Sequence, residues 1–143
     1  GTAMVGVLNG VVFTDATTLK PTFSNFYPAA TTPANSEDIT AFVNDDPFQE
    51  YIISTDATLG GTLALRKSKI GLTYATTAAA GSTTTGKSSV ELGISTAATT
   101  AKQLRMVRIA EDPENQDQTA ANCSVVVKVN LHQYTVGSLA TDV

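Results

Sequence analysis

Eight consecutive residues, Gly81-Ser82-Thr83-Thr84-Thr85-Gly86-Lys87-Ser88, satisfy the phosphate-loop pattern G-x-x-x-x-G-K-[ST] at every fixed position. The chemistry of such a loop is the closing of backbone N–H groups and a lysine on phosphate oxygens. It requires a buried parallel strand leading in and a helix leading out. Neither flank fits, because Ala75-Thr76-Thr77-Ala78-Ala79-Ala80 precedes the motif and the strand-like Ser89-Val90-Glu91-Leu92-Gly93-Ile94 follows it. No apolar strand ends in a magnesium-binding Asp, since Val125 to Val129 runs into Asn130. In a stretch this rich in Gly, Ser and Thr the match is read as chance, with no nucleotide expected at Gly81, Gly86, Lys87 or Ser88.

The other reactive residue types are few. One histidine, His132, and one cysteine, Cys123, leave a zinc site without supporting ligand spacing. His132 falls on the polar face of an alternating strand and reads as an ordinary surface or interface residue rather than a general base. Cys123, at the entry to that strand, reads as a small buried apolar residue. Asp45 and Asp46 before Pro47, and the acids between 111 and 117, match no twelve-residue calcium loop and read as hydrated loop acids. Asn122-Cys123-Ser124 fits a glycosylation sequon but has no secretory signal to give it a route. No catalytic residue, metal or cofactor is expected. More informative is Phe23-Ser24-Asn25-Phe26-Tyr27-Pro28, where three of the nine aromatics fall within five residues. They fit a core corner first and an anchor in a partner's groove second.

Composition frames these sites. A chain of 143 residues suits one domain, 1–143. Charged residues make up only 15%, and 23 Thr, 19 Ala and 10 Ser must cover much of the surface. With 9 Lys+Arg scattered along a chain of formal net charge -4, no basic face is available for nucleic acid. No apolar run approaches the roughly 20 residues of a membrane span, and Gly1-Thr2-Ala3-Met4 lacks a basic signal-peptide start. A lone cysteine excludes a disulfide within the chain. The strand-like pattern begins almost at Gly1, which suggests an upstream segment.

Hydrophobic periodicity is clearest where Val125, Val127, Val129 and Leu131 alternate with Val126, Lys128, Asn130 and His132. Leu104 and Met106 alternate likewise, with a phase shift at Val107 and Ile109 that fits either a bulge or a two-sided strand, and the two segments should pair across the polar loop 111–119. Further short strands are expected at Met4 to Leu8 and Val11 to Phe13 around an Asn9-Gly10 turn, and at Ile39 to Val43, Gln49 to Ser54, Thr62 to Leu65, Ile70 to Tyr74 and Val90 to Ile94. Residues 31–38 and 75–89 read as loops. No helical stripe is convincing. The expectation is an all-β fold, an antiparallel barrel or sandwich with long Thr/Ala/Gly/Ser-rich loops.

Several segments together resemble a recurring family of tailed-bacteriophage virion structural proteins. They are Asn44-Asp45-Asp46-Pro47-Phe48, Gly86-Lys87-Ser88-Ser89-Val90-Glu91-Leu92, the run from Ser95 to Arg105, and the run from Val125 to Gln133. Val5 to Asp15 and Lys20 to Pro28 resemble the middle portion of the same family, especially in phages of aquatic bacteria such as cyanophages. The resemblance covers nearly the whole chain, and its motifs are soft singly and fairly specific together. Against that family the chain begins inside the pattern, so further N-terminal strands are expected before Val5.

The resemblance implies an all-β decoration or cement protein on the outer surface of the virion capsid, made in the bacterial cytoplasm, with the major capsid protein and further copies of itself, as dimer or trimer, for partners. It implies no enzyme activity and no metal; no cofactor is expected, and the scattered cations and short apolar runs leave no nucleic-acid or membrane partner expected. Low charge and the lack of a site constellation agree with work done by surface complementarity. Loop and aromatic placement nominate Phe23, Phe26, Tyr27, Lys87, Tyr134 and Val136 as capsid or oligomer contacts. The alternatives are a tail or head-tail component, a carbohydrate-binding β-sandwich on the virion, and a nucleotide-binding enzyme using 81–88.

Overall fold

A computed structural model describes residues 3–27, 32–36, 39–99, 102–115 and 117–135. Its strands are β1 (Val7–Thr14), β2 (Pro21–Ser24), β3 (Thr40–Asn44), β4 (Glu50–Ser54), β5 (Thr73–Tyr74), β6 (Thr76–Thr77), β7 (Glu91–Leu92), β8 (Leu104–Ile109) and β9 (Ser124–Val129). One short helix, α1 (Leu63–Ser68), interrupts them. The fold is all-β, in three antiparallel sheets ordered β2-β1-β3, β4-β9-β8-β5 and β6-β7. Among the described residues no sheet closes into a barrel. The chain forms two compact units, one from Gly1–Val5, Asp46–Ala79 and Val90–Val143, the other from Gly6–Asp45 and Ala80–Ser89.

In the larger unit β8 and β9 pair as their alternation predicts, Leu104 with Val129, Met106 with Val127 and Ile109 with Val125. The register slips between Met106 and Arg108, so the phase shift at Val107 is a bulge. One face of this sheet carries Tyr51, Ile53, Leu104, Met106, Val125, Val127 and Val129 into a core completed by Leu59, Tyr74, Leu92, Ile94 and Cys123. The buried Cys123 is a packing residue, as expected. On the opposite face Glu50 meets Arg108 at 3.7 Å and Lys128 at 3.5 Å. These half-exposed pairs contribute little to stability.

Side chains tie the irregular segments of this unit to its strands. Asp56 accepts the Ile94 N–H at 2.8 Å and the Thr77 hydroxyl at 3.2 Å, fixing the end of β4 to the β6-β7 hairpin. Asn115 donates from Nδ2 to the Ala110 and Ser124 carbonyls at 2.8 and 2.9 Å, and its Oδ1 accepts the Ser124 N–H at 2.9 Å. That bracket anchors the polar loop between β8 and β9, whose acids Glu111, Asp112, Glu114 and Asp117 stay in water as expected.

Five local expectations are corrected. Thr62 to Leu65 is no strand: Thr62 is the N-cap of α1, its hydroxyl accepting the Leu65 N–H at 3.3 Å, and the Leu-Ala-Leu-Arg-Lys run that follows favours helix intrinsically. The strands expected at Ile70 to Tyr74 and Val90 to Ile94 shrink to Thr73–Tyr74 and Glu91–Leu92, the latter passing into a 3-10 turn at Ile94–Thr96. Inside the expected loop 75–89, Thr76–Thr77 forms β6, pairing Thr76 with Leu92 and Thr77 with Glu91. Asn9-Gly10 makes no turn but lies within β1, where the pairing shifts from Leu8–Val43 to Gly10–Phe42 and leaves Asn9 as a bulge. The chain reverses later, where Asp15 Oδ1 accepts the Thr17 and Thr18 N–H groups at 3.0 and 2.7 Å and Leu19 adopts φ 56°. These bonds to the ionised carboxylate, that from Thr18 foremost, hold Asp15 below the usual carboxylate range.

Candidate functional site

The smaller unit presents the side chains that demand an explanation. In the β2-β1-β3 sheet Val12 lies opposite Phe23 and Thr40, and Gly10 opposite Phe42, so these residues share one face. Val11 and Phe13 point to the other face and are buried, with Ala34 buried as well. On the first face Phe23 is 75% exposed and Phe42 49% exposed, although both sit on regular strands. Gly10 lies between them with no side chain, so a shallow concavity opens there, lined by Asn9, Gly10, Val11, Phe23, Ser24, Asn25 and Phe42. A Cβ at Gly10 would stand 3.0 Å from the Ser24 carbonyl, which keeps the position bare.

The expectation that the aromatic cluster forms a core corner is therefore corrected. Phe23 and Tyr27 face solvent and Phe26 is half-buried, because Pro21–Ser24 is an edge strand whose alternation turns Phe23 away from Val11 and Phe13. Lys87, in the excursion of residues 80–89 assigned to the same unit, is exposed. Tyr134, in the larger unit, is exposed too, and Val136 lies outside the described residues. Phe42 was not singled out by sequence. Its signal was the strand pattern 39–43, which gives a strand but not which of its faces is covered.

The 81–88 segment is a closed turn. Ser82 N–H donates to the Lys87 carbonyl at 3.0 Å and Gly86 N–H to the Ser82 carbonyl at 2.8 Å. The Thr85 and Lys87 N–H groups donate to the Ser82 and Thr85 hydroxyls at 3.2 and 3.4 Å. Donors that a phosphate cradle needs are thus consumed within the loop, and the segment leads to β7 rather than into a helix. Gly86 adopts φ 66°, and a Cβ there would collide with the Asn25 side chain, so its glycine serves a tight turn against β2's end.

His132 is 1% exposed, which corrects its expected place on a polar face. The alternation of β9 breaks at Asn130, where the Asn130 and Leu131 N–H groups both reach the Gln103 carbonyl, so Leu131 and His132 are buried in succession. His132 Nδ1 accepts the Tyr134 N–H at 3.1 Å, and Met4 pairs with it in a short parallel bridge. The imidazole is held as a structural acceptor. Among the described residues no three His, Cys, Asp or Glu side chains converge as metal ligands, and no helix is long and apolar enough to cross a membrane.

Compared with family models, curated proteins and solved structures, the chain matches none. The surface itself therefore carries the functional reading.

Proposed function

We propose that this chain is a non-catalytic virion component, a decoration or cement protein that binds the outer surface of a tailed-bacteriophage head lattice and stabilises contacts between major capsid subunits. The observation that carries the reading is the aromatic face around Phe23 and Phe42, two large side chains left in water on regular strands. Burying a Phe side chain contributes about 1.5–3 kcal/mol, and a monomer that leaves two together forgoes that unless a partner surface supplies it. The few, scattered charges favour a partner recognised by shape and apolar contact. The resemblance of the sequence to tailed-bacteriophage virion proteins favours the major capsid protein as that partner.

The mechanism is mass action. Copies that bind the assembled shell but not separated subunits stabilise the shell by the binding free energy at each occupied site. The test is to add the purified chain to undecorated phage heads and to locate it by cryo-electron microscopy. Density at capsid-subunit junctions that fits these sheets is the expected result, with Phe23→Ser lowering occupancy at least about tenfold, in line with the loss of one buried aromatic anchor. A chain found in the tail, or only in solution, refutes the reading.

A further inference from the structure

We infer that the outer edge of β3 is a homodimer seam, which pairs antiparallel with β3 of a second copy across a two-fold axis at Phe42. β3 ends its sheet, with β1 on one side and no strand on the other among the described residues. All five of its residues, Thr40-Ala41-Phe42-Val43-Asn44, are exposed. A strand edge of this kind is a template for another strand, and proteins ordinarily blunt it with charge, proline or shortness. The other edges are blunted in those ways: β2 begins with Pro21 beside Lys20, β4 carries Glu50, β5 is two residues long and bridged by Ala98, and β6 and β7 are two residues long each. β3 has no charge and no proline, and the bulge that disturbs its pairing belongs to β1.

The sequence of the strand selects the occupant. A two-fold interface must be complementary to itself. About Phe42 the strand reads polar, apolar, aromatic, apolar, polar, so antiparallel self-pairing sets Phe42 against Phe42, Ala41 against Val43 and Thr40 against Asn44. No charge opposes a charge, and no polar residue opposes an apolar one. An aromatic pair directly across a seam is among the favourable cross-strand combinations. Leu8 and Val43, exposed side by side on the opposite face of the sheet, add apolar area to the same edge. Joining the two copies turns two three-stranded sheets into one of six strands. A ladder of five residues a side lies below the standard interface size, so the expected dimer is weak and concentration-dependent.

This inference does not rest on the shell-binding reading, and its test is made in free solution. Sedimentation velocity of the full chain from micromolar to several hundred micromolar should show a monomer–dimer equilibrium. Phe42→Lys and Phe42→Glu each place like charges face to face at the axis and should weaken the dimer more than about tenfold. Phe42 is half-exposed, so both variants keep the fold, which circular dichroism checks. An equimolar mixture of the two should dimerise again, because lysine now faces glutamate. A wild-type chain that stays monomeric throughout, a dimer indifferent to both variants, or a mixture that fails to reassociate overturns the inference. Binding of a foreign extended peptide by a monomeric wild type overturns it as well and assigns the edge to another partner. Loss of shell binding with the dimer intact, or the reverse, separates this inference from the proposed function.

Discussion

Tyr74 is fully buried in the core of the larger unit, and its hydroxyl donates to the Lys69 carbonyl at 2.8 Å. Burial disfavours the phenolate and pushes the phenol up from 10.0 to about 12. In the unfolded chain the same phenol ionises near 10, so folding is penalised only where the unfolded state has already lost its proton. Stability is intact below about pH 10 and drains away as the pH rises toward 12, by about 3 kcal/mol in all. Tyr74→Phe removes both effects. At pH 8 the variant should be less stable by about 1 kcal/mol, the net value of one hydrogen bond, with the Lys69 carbonyl left to seek water. Near pH 11 the wild type has lost about as much, so the two stability curves should meet there and the variant should be the more stable above it. Urea unfolding followed by circular dichroism at pH 8, 10 and 11 measures the two curves. A difference that stays constant over this range refutes the argument, because the buried phenol would then ionise without penalty.

Two further substitutions test how the irregular segments are held. Asn115→Ala deletes three hydrogen bonds that join Ala110 and Ser124, and it should cost about 3 kcal/mol and speed hydrogen exchange at the Ser124 amide; exchange unchanged at Ser124 would show that the bracket is ornamental. Gly86→Ala puts a side chain on a left-handed backbone and against Asn25, and it should destabilise the smaller unit by at least about 1 kcal/mol. Limited proteolysis within 80–89 reads that loss, and equal cleavage of variant and wild type counts against it.

The strands were legible where one face is buried along their whole length. The β8–β9 pair follows from alternation, since each slip of register would expose a Val or Leu, whereas the choice between a bulge and a two-sided strand at Val107 needed the register itself. Legibility fails where a distant group decides. Asn9-Gly10 is a strong local turn signal, yet pairing of β1 with β3 on one side and the Asp15 turn further along outweigh it. Leu63 and Leu65 alternate as a strand would, but the hydroxyl of Thr62 and five good helix formers select α1. His132 changes face because the Gln103 carbonyl bends the chain at Asn130, a contact that no window around 132 contains. For the candidate surface, sequence located the aromatic side chains at 23–27 but assigned them to a core. Which face of a short edge strand is covered depends on the neighbouring strands, and that became visible only with the register of β1 against β2 and β3.

The same register explains how a chain with little helix and many loops can hold the proposed binding surface in one shape. Ordering a residue costs about 1–2 kcal/mol of backbone entropy, so a loop-borne surface that freezes only on contact would bind weakly. Here the ordering is made in advance by short polar side chains. Asp15 closes the turn between β1 and β2, Asp56 joins β4 to the β6–β7 hairpin, and Thr96 accepts the Ala75 N–H at 2.9 Å while donating to the Gly93 carbonyl at 2.6 Å. Thr, Asn and Asp side chains therefore brace this fold where long helices are lacking, and the abundance of Thr has a structural cause besides covering the surface. Phe23 and Phe42 in turn stand on hydrogen-bonded strands flanking a bare Gly10, a pre-set shape that a partner can fill without remodelling it. Rigidity of that kind favours the proposed role, because many identical sites on a shell must be met by copies that all present one geometry.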